Sequence, residues 1–109
     1  VLAYVEIDTK ILIRSKDVAA TKGMDRAERI ITITKKIEGR QYINPIGGKE
    51  LYNKDYFYSK GVNLSFIESE PFNYRQFGND FVPNLSIIDV MMFNSKEKVK
   101  QILNKYSLV

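Results

Sequence analysis

Cysteine, histidine and tryptophan are all absent from the 109 residues. Without cysteine there is no disulfide, no thiolate zinc site and no cysteine nucleophile. Without histidine the usual base at physiological pH and the commonest metal ligand are missing, and a Ser-His-Asp triad cannot be built from this chain alone. Any acid–base chemistry falls to Asp, Glu, Lys or Tyr. No apolar run approaches the roughly 20 residues of a bilayer-spanning helix, so no membrane span is expected. No basic stretch followed by an apolar one opens the sequence, so no signal peptide is legible and a cytoplasmic location is the expectation. Charge of one sign is also scarce. Seventeen basic residues against 13 acidic ones leave a net charge of +4. The basic residues are scattered, with Lys35-Lys36 as the longest run, whereas nucleic-acid binding favours a clustered patch. Nucleic acid is therefore not an expected partner.

What is present is ordinary globular material, with 44% apolar and 28% charged residues. The length suits one domain with one core. The opening Val1-Leu-Ala-Tyr-Val-Glu6 reads as the tail of an element, so the alternative is the C-terminal half of a longer domain.

Ile11-Leu-Ile13 reads as a buried strand, and residues 15–23 as a loop. Asp25 with Glu28 fits a capping box, and Ala27, Ile30, Ile33 and Ile37 recur at helical spacing. A helix is predicted from Asp25 to Glu38, stopped by Gly39. Gln41 to Asn44 reads as a short strand ended by Pro45. Gly47-Gly48 is a turn, and Lys49 to Ser59 is helical, in one or two pieces, up to Gly61. Val62, Leu64 and Phe66 alternate as one face of a strand. Residues 69–82 form a long polar and aromatic connection, a kind that often carries function. Leu85 to Phe93 is apolar nearly all round and reads as a helix buried on most sides. A last helix starts at Asn94 or Ser95, with Val99, Ile102, Leu103 and Tyr106 on one face. The alternation of strands and helices predicts an α/β fold: a mostly parallel, three-layer, Rossmann-like sheet with right-handed crossover helices.

Few constellations point to chemistry, and each has a plain structural explanation beside it. Gly47-Gly48 between a strand and a helix, with Lys49 next, suits close approach of a phosphate. A tight turn explains the same glycines more simply. Neither a Walker pattern nor a dinucleotide fingerprint accompanies them, and no metal or cofactor motif is legible. Ser86 and Asp89 stand at i, i+3 and can share a helical face. An Asp in a buried helix needs a partner, which makes Asp89 a candidate functional carboxylate. The same spacing is that of a capping box, and Asn84 is also a good N-cap. Among many tyrosines, Tyr74 is placed with Gln76 in the long connection, where a ligand contact is plausible. Ser15, Asp17 and Arg29 flank the first predicted strand–loop–helix unit, beyond the carboxyl end of a strand. Loop and capping roles explain them equally well.

At these residues the chain resembles the WbqC-like protein family. The resemblance runs through Ile7-Asp8-Thr-Lys, Ser15, Arg29-Ile30, Tyr42-Ile-x-Pro-x-Gly47-Gly48 and Tyr52. It continues through Tyr74-x-Gln76 to Phe81-Val-Pro-Asn84-Leu-Ser86-Ile-Ile-Asp89, the most specific block. It implies a bacterial, cytoplasmic enzyme from gene clusters for O-antigen or other surface polysaccharide. The implied substrate is a small molecule, an activated sugar such as a nucleotide-sugar or a related metabolite, with acyl or aminoacyl transfer as the reaction. The resemblance itself assigns no catalytic residue, and Asp89 is the catalytic candidate from its place in the predicted helix. Gly47, Gly48, Tyr52, Tyr74, Gln76, Asn84, Ser86, Ser15 and Arg29 are the substrate-binding candidates, with Gly47, Gly48 and Asn84 to Asp89 lining one cleft. Family members also carry an N-terminal segment with a His-Gln-Pro block, which this sequence lacks. If catalysis needs that histidine, this chain alone is inactive. The alternative is a non-catalytic binding or assembly module of a polysaccharide-biosynthesis complex.

Overall fold

The computed structural model of the chain describes residues 1–10, 20–78 and 80–109. The predicted strand at Ile11–Ile13, together with Ser15 and Asp17, lies outside the described residues. The elements run α1 (Arg26–Lys36), β1 (Gln41–Pro45), a 3-10 turn (Ile46–Gly48), α2 (Lys54–Ser59), β2 (Asn63–Ser69), α3 (Ile87–Phe93), α4 (Lys96–Leu103) and β3 (Tyr106–Leu108). Two compact units divide the chain: Val1–Lys10 with Ser69–Ser107, and Ile11–Glu68 with Leu108–Val109.

The second unit is built on the parallel pair β1–β2. Gln41 stands opposite Asn63 and Pro45 opposite Ile67, a constant offset. The alternation of Val62, Leu64 and Phe66 survives in three dimensions. All three are buried, and they pack with Ile31 and Phe57 into one cluster. The face of α1 that meets this cluster is centred on Ile31 and Thr34, not on Ile33 and Ile37, and Ile37 is exposed. Buried Thr34 satisfies its hydroxyl by donating to the Ile30 carbonyl at 2.9 Å.

The sheet has three strands in the order β1-β2-β3. Phe66 and Val109 exchange both backbone hydrogen bonds, at 2.8 and 2.9 Å. Such a reciprocal exchange is the mark of antiparallel pairing. The mixed α/β class holds, but the sheet is small and only half parallel, so the Rossmann-like three-layer expectation is not met among the described residues. β3 was not expected. Asn104 closes α4 as its C-cap, which removes Tyr106 from the helix face to which spacing assigned it.

Three segments end in the same hydrogen-bond pattern. At the end of α1 the Glu38 and Gly39 N–H groups donate to the Lys35 and Thr34 carbonyls. At the end of α2, Gly61 and Val62 do the same to Tyr58 and Phe57, and at the first turn Glu6 and Ile7 to Ala3 and Leu2. This is the Schellman motif, whose pivotal residue is left-handed. Gly61 takes that position at φ 78° without strain, but Glu38 and Glu6 take it at φ 58° and 57°. Gly39 was expected to be the stop, yet Glu38 carries the left-handed turn.

The first unit has its own cluster of Val5, Val90, Val99 and Ile102. Glu6 ties the opening turn to α4, since Lys96 and Lys100 both donate to its carboxylate at 2.5 Å. Hydrogen bonds from Lys100 and then Lys96 hold Glu6 well below its ordinary value of 4.5, down to about 2. A depressed carboxylate stabilises the fold fully above its unfolded value and loses that stabilisation as the pH falls through its folded value. The urea midpoint is therefore expected to fall between pH 4.5 and about 2. The Glu6→Gln variant should show a shallower fall in this window. An equal fall in both proteins would remove Glu6 as the cause.

Helix α3 departs from expectation. Only Val90 is buried in it, while Ile88 and Met92 are 62% and 71% exposed. It is therefore not buried on most sides. Its N-cap is Ser86, whose hydroxyl accepts from the Ile88 N–H at 3.2 Å. Asn84 is not the cap and lies in the left-handed region at φ 60°. No helix among the described residues is long and apolar enough to cross a membrane.

Candidate functional site

Residues 71–76 have no regular structure, but exposure alternates along them so that Phe72, Tyr74 and Gln76 turn inward. Phe72 and Tyr74 pack against the cluster around Val90. The Tyr74 hydroxyl donates to Asp89 Oδ2 at 2.5 Å. Gln76 Nε2 donates to the same oxygen at 3.1 Å. Backbone fixes the Gln76 amide: the Val82 N–H donates to Oε1 at 2.8 Å, and Nε2 also donates to the Val82 carbonyl at 3.1 Å. Because a backbone N–H can only donate, Oε1 must face Val82, which turns Nε2 toward Asp89.

The Ser86–Asp89 spacing therefore has two outcomes at once. Ser86 caps α3. The Asp89 carboxylate instead collects two donors from the long connection. The O–H···O distance is that of a charge-assisted bond. Burial first, and then the bond to Asp89, raise the Tyr74 hydroxyl above its ordinary value of 10.0. Tyr74 thus keeps its proton at neutral pH and donates it in a hydrogen bond to Asp89.

Beside this cluster lies a cavity of about 550 Å³. Its wall includes Glu70, Phe72, Asn73, Tyr74, Phe81 and Asn84. Asp89 and Gln76 are not on the wall. They reach the cavity through Tyr74, which they hold in place. Phe81 meets the Tyr74 ring edge-on at 5.1 Å. Phe81 stands in the Phe81–Asp89 block without a role legible from the sequence. Glu70 carries no sequence signal of a site, and Phe72 none beyond the alternation at 72, 74 and 76.

The structure thus brings Tyr74, Gln76, Asn84, Ser86 and Asp89 together in one unit. Gly47, Gly48, Tyr52 and Arg29 belong to the other unit. There, a Cβ on Gly48 would sit 1.8 Å from Asn44 Nδ2 and 3.7 Å from the Tyr52 ring. The Asn44 amide fills the space beside Gly48 and is held by the Tyr42 hydroxyl, which donates to Oδ1 at 3.0 Å. Burial and then neighbouring Tyr52 push the Tyr42 hydroxyl above 10.0. Tyr52 packs edge-on against Phe57 at 5.8 Å. These contacts give Gly48 and Tyr52 structural roles. A Cβ on Gly47 would meet nothing within 4 Å. Arg29 Nε donates to Thr21 Oγ1 at 3.3 Å. No group of three or more acidic residues that could hold a metal ion occurs among the described residues.

No curated protein and no solved structure matches the chain significantly. A family match covers residues 1–101, a span that includes the whole Tyr74–Gln76–Asp89 cluster and every residue of the cavity wall. The chain belongs to the WbqC-like protein family.

Proposed function

We propose that the chain carries the substrate pocket of an enzyme of bacterial surface polysaccharide synthesis, one that acts on an activated sugar with acyl or aminoacyl transfer as the reaction. The observation that supports this reading is Tyr74. It is a wall residue of a cavity large enough for a small metabolite, and its hydroxyl donates to Asp89, whose same oxygen is held by Gln76. Concave sites lined by aromatic rings with a few oriented polar groups are the usual form of small-molecule pockets. Tyr74 is the residue that touches substrate. Asp89 and Gln76 act through it and are positioning residues.

The reading is tested by titrating the chain with a panel of nucleotide-sugars and following amide signals by NMR. Shifts at Tyr74 and Asp89 are expected. Binding to the Asp89→Asn variant should weaken by about tenfold, the equivalent of one charge-assisted bond reduced to a neutral one. Its unfolding free energy should fall by only about 1 kcal/mol. A panel that moves neither residue counts against the reading. A variant that loses stability but binds as before makes Asp89 a structural brace, as expected of a non-catalytic assembly module.

A further inference from the structure

The wall of the Tyr74 cavity has a chemical preference of its own. The Phe72 and Tyr74 rings are nearly parallel, inclined by 22° with centroids 6.1 Å apart. The faces of aromatic rings are electron-rich and attract positively polarised groups, including the C–H bonds of a saturated ring that carries oxygens. Glu70 bears the only formal charge among the described wall residues, and that charge is negative. Neighbouring Arg75 is not part of the wall. Among the described wall residues an entering anion therefore meets a carboxylate and no cation.

Hydrogen-bond polarity narrows the ligand further. A phenol has one proton, and Tyr74 commits its own to the hydrogen bond with Asp89. Its oxygen can then only accept from a ligand. An ionised Glu70 also only accepts. Asn73 and Asn84 offer amides of either polarity. The complementary ligand is rich in donor hydroxyls, apolar on one face and free of negative charge.

We propose that this cavity holds the uncharged, hydroxylated ring of the substrate, with its C–H face on Phe72 and Tyr74 and its hydroxyls donating to Tyr74 and Glu70. The phosphate groups of an activated sugar remain outside the cavity. The inference rests on the reading that the cavity is the substrate site, and it adds which part of the substrate enters.

The test uses the full chain and aromatic-ring NMR signals. The probes are methyl glycosides of glucose, galactose and N-acetylglucosamine, together with glucose 1-phosphate and choline. At least one glycoside should shift the Phe72, Tyr74 and Phe81 rings at millimolar concentration. Glucose 1-phosphate should bind about threefold more weakly, the factor contributed in water by a like charge about 7 Å away. Glu70→Gln should close that gap, and Tyr74→Phe should weaken the glycoside by about threefold or more through loss of its acceptor. Tighter binding of the phosphate at the same rings overturns the inference. So does tighter binding of choline, which would make the wall a cation site. Nucleotide-sugars that bind while no neutral glycoside moves the rings overturn the inference and leave the functional reading standing. If neither class binds, both fall.

Discussion

Phe57→Ala is expected to lower the unfolding free energy by about 3–5 kcal/mol. Domains of this size are held by only about 5–15 kcal/mol, so the variant should be close to unfolded at physiological temperature. Phe57 has no exposed surface. Its ring stacks on Tyr42 at 6.1 Å and meets Tyr52 and Tyr56 edge-on at 5.8 and 6.4 Å. Helix α2 has six residues, too few to be stable alone. Tertiary packing through Phe57 is what keeps it formed. The Phe57 carbonyl also receives the Val62 N–H that closes the helix and leads into β2. Urea unfolding followed by circular dichroism measures the loss. A cost below about 1 kcal/mol, the scale of a surface substitution, would show that the ring is not the centre of this cluster.

Gly48→Ala is expected to cost about 1–3 kcal/mol, the range for forcing an extra carbon into a packed site. Gly48 does not have the positive φ that favours glycine, so backbone freedom is not the reason. Space is. The added carbon would overlap Asn44 Nδ2, and moving that amide breaks its bond with Tyr42. Removing the obstacle should therefore repair the damage. In an Asn44→Ala background, where the space beside Gly48 is vacated, Gly48→Ala should cost less than about 0.5 kcal/mol. An undiminished cost in the double variant would point away from the Asn44 contact and toward a backbone cause at Gly48. The comparison tests the packing explanation of Gly48 without knowledge of the substrate.

Local signals in the sequence were reliable where one residue does one job. Asp25, Ser95 and Gly61 end or begin helices as their chemistry predicts, and the Val62–Leu64–Phe66 alternation places β2 on the core. Signals failed where the deciding partner is distant. Tyr106 falls at helical spacing from Ile102, but β3 exists because the chain end pairs with β2 across 43 residues of sequence, from Phe66 to Val109. Apolar character all round α3 suggested burial, yet a seven-residue helix with Val90 as its buried contact leaves Ile88 and Met92 outward. Asp89 is the most instructive case. Its spacing from Ser86 cannot distinguish a cap from a hub, because the choice is made by Tyr74 and Gln76, 15 and 13 residues away. The motif brought these residues to notice. Only the fold shows that one touches the cavity and two support it.

The pairing of Phe66 with Val109 also makes one unit an insertion in the other. The chain leaves the second unit after Glu68 and returns at Leu108, and the Phe66–Val109 bonds demand that the two ends of that excursion lie side by side. For a flexible 43-residue loop, closing the ends costs about 3 kcal/mol in chain entropy. The inserted segment does not stay flexible. Within its own unit the Glu70 N–H donates to the Lys105 carbonyl at 3.0 Å, so its folding already draws its ends together. The entropy of closure is then met once for both units. Folding of the inserted segment thereby favours pairing of the chain end with β2, through chain connectivity alone.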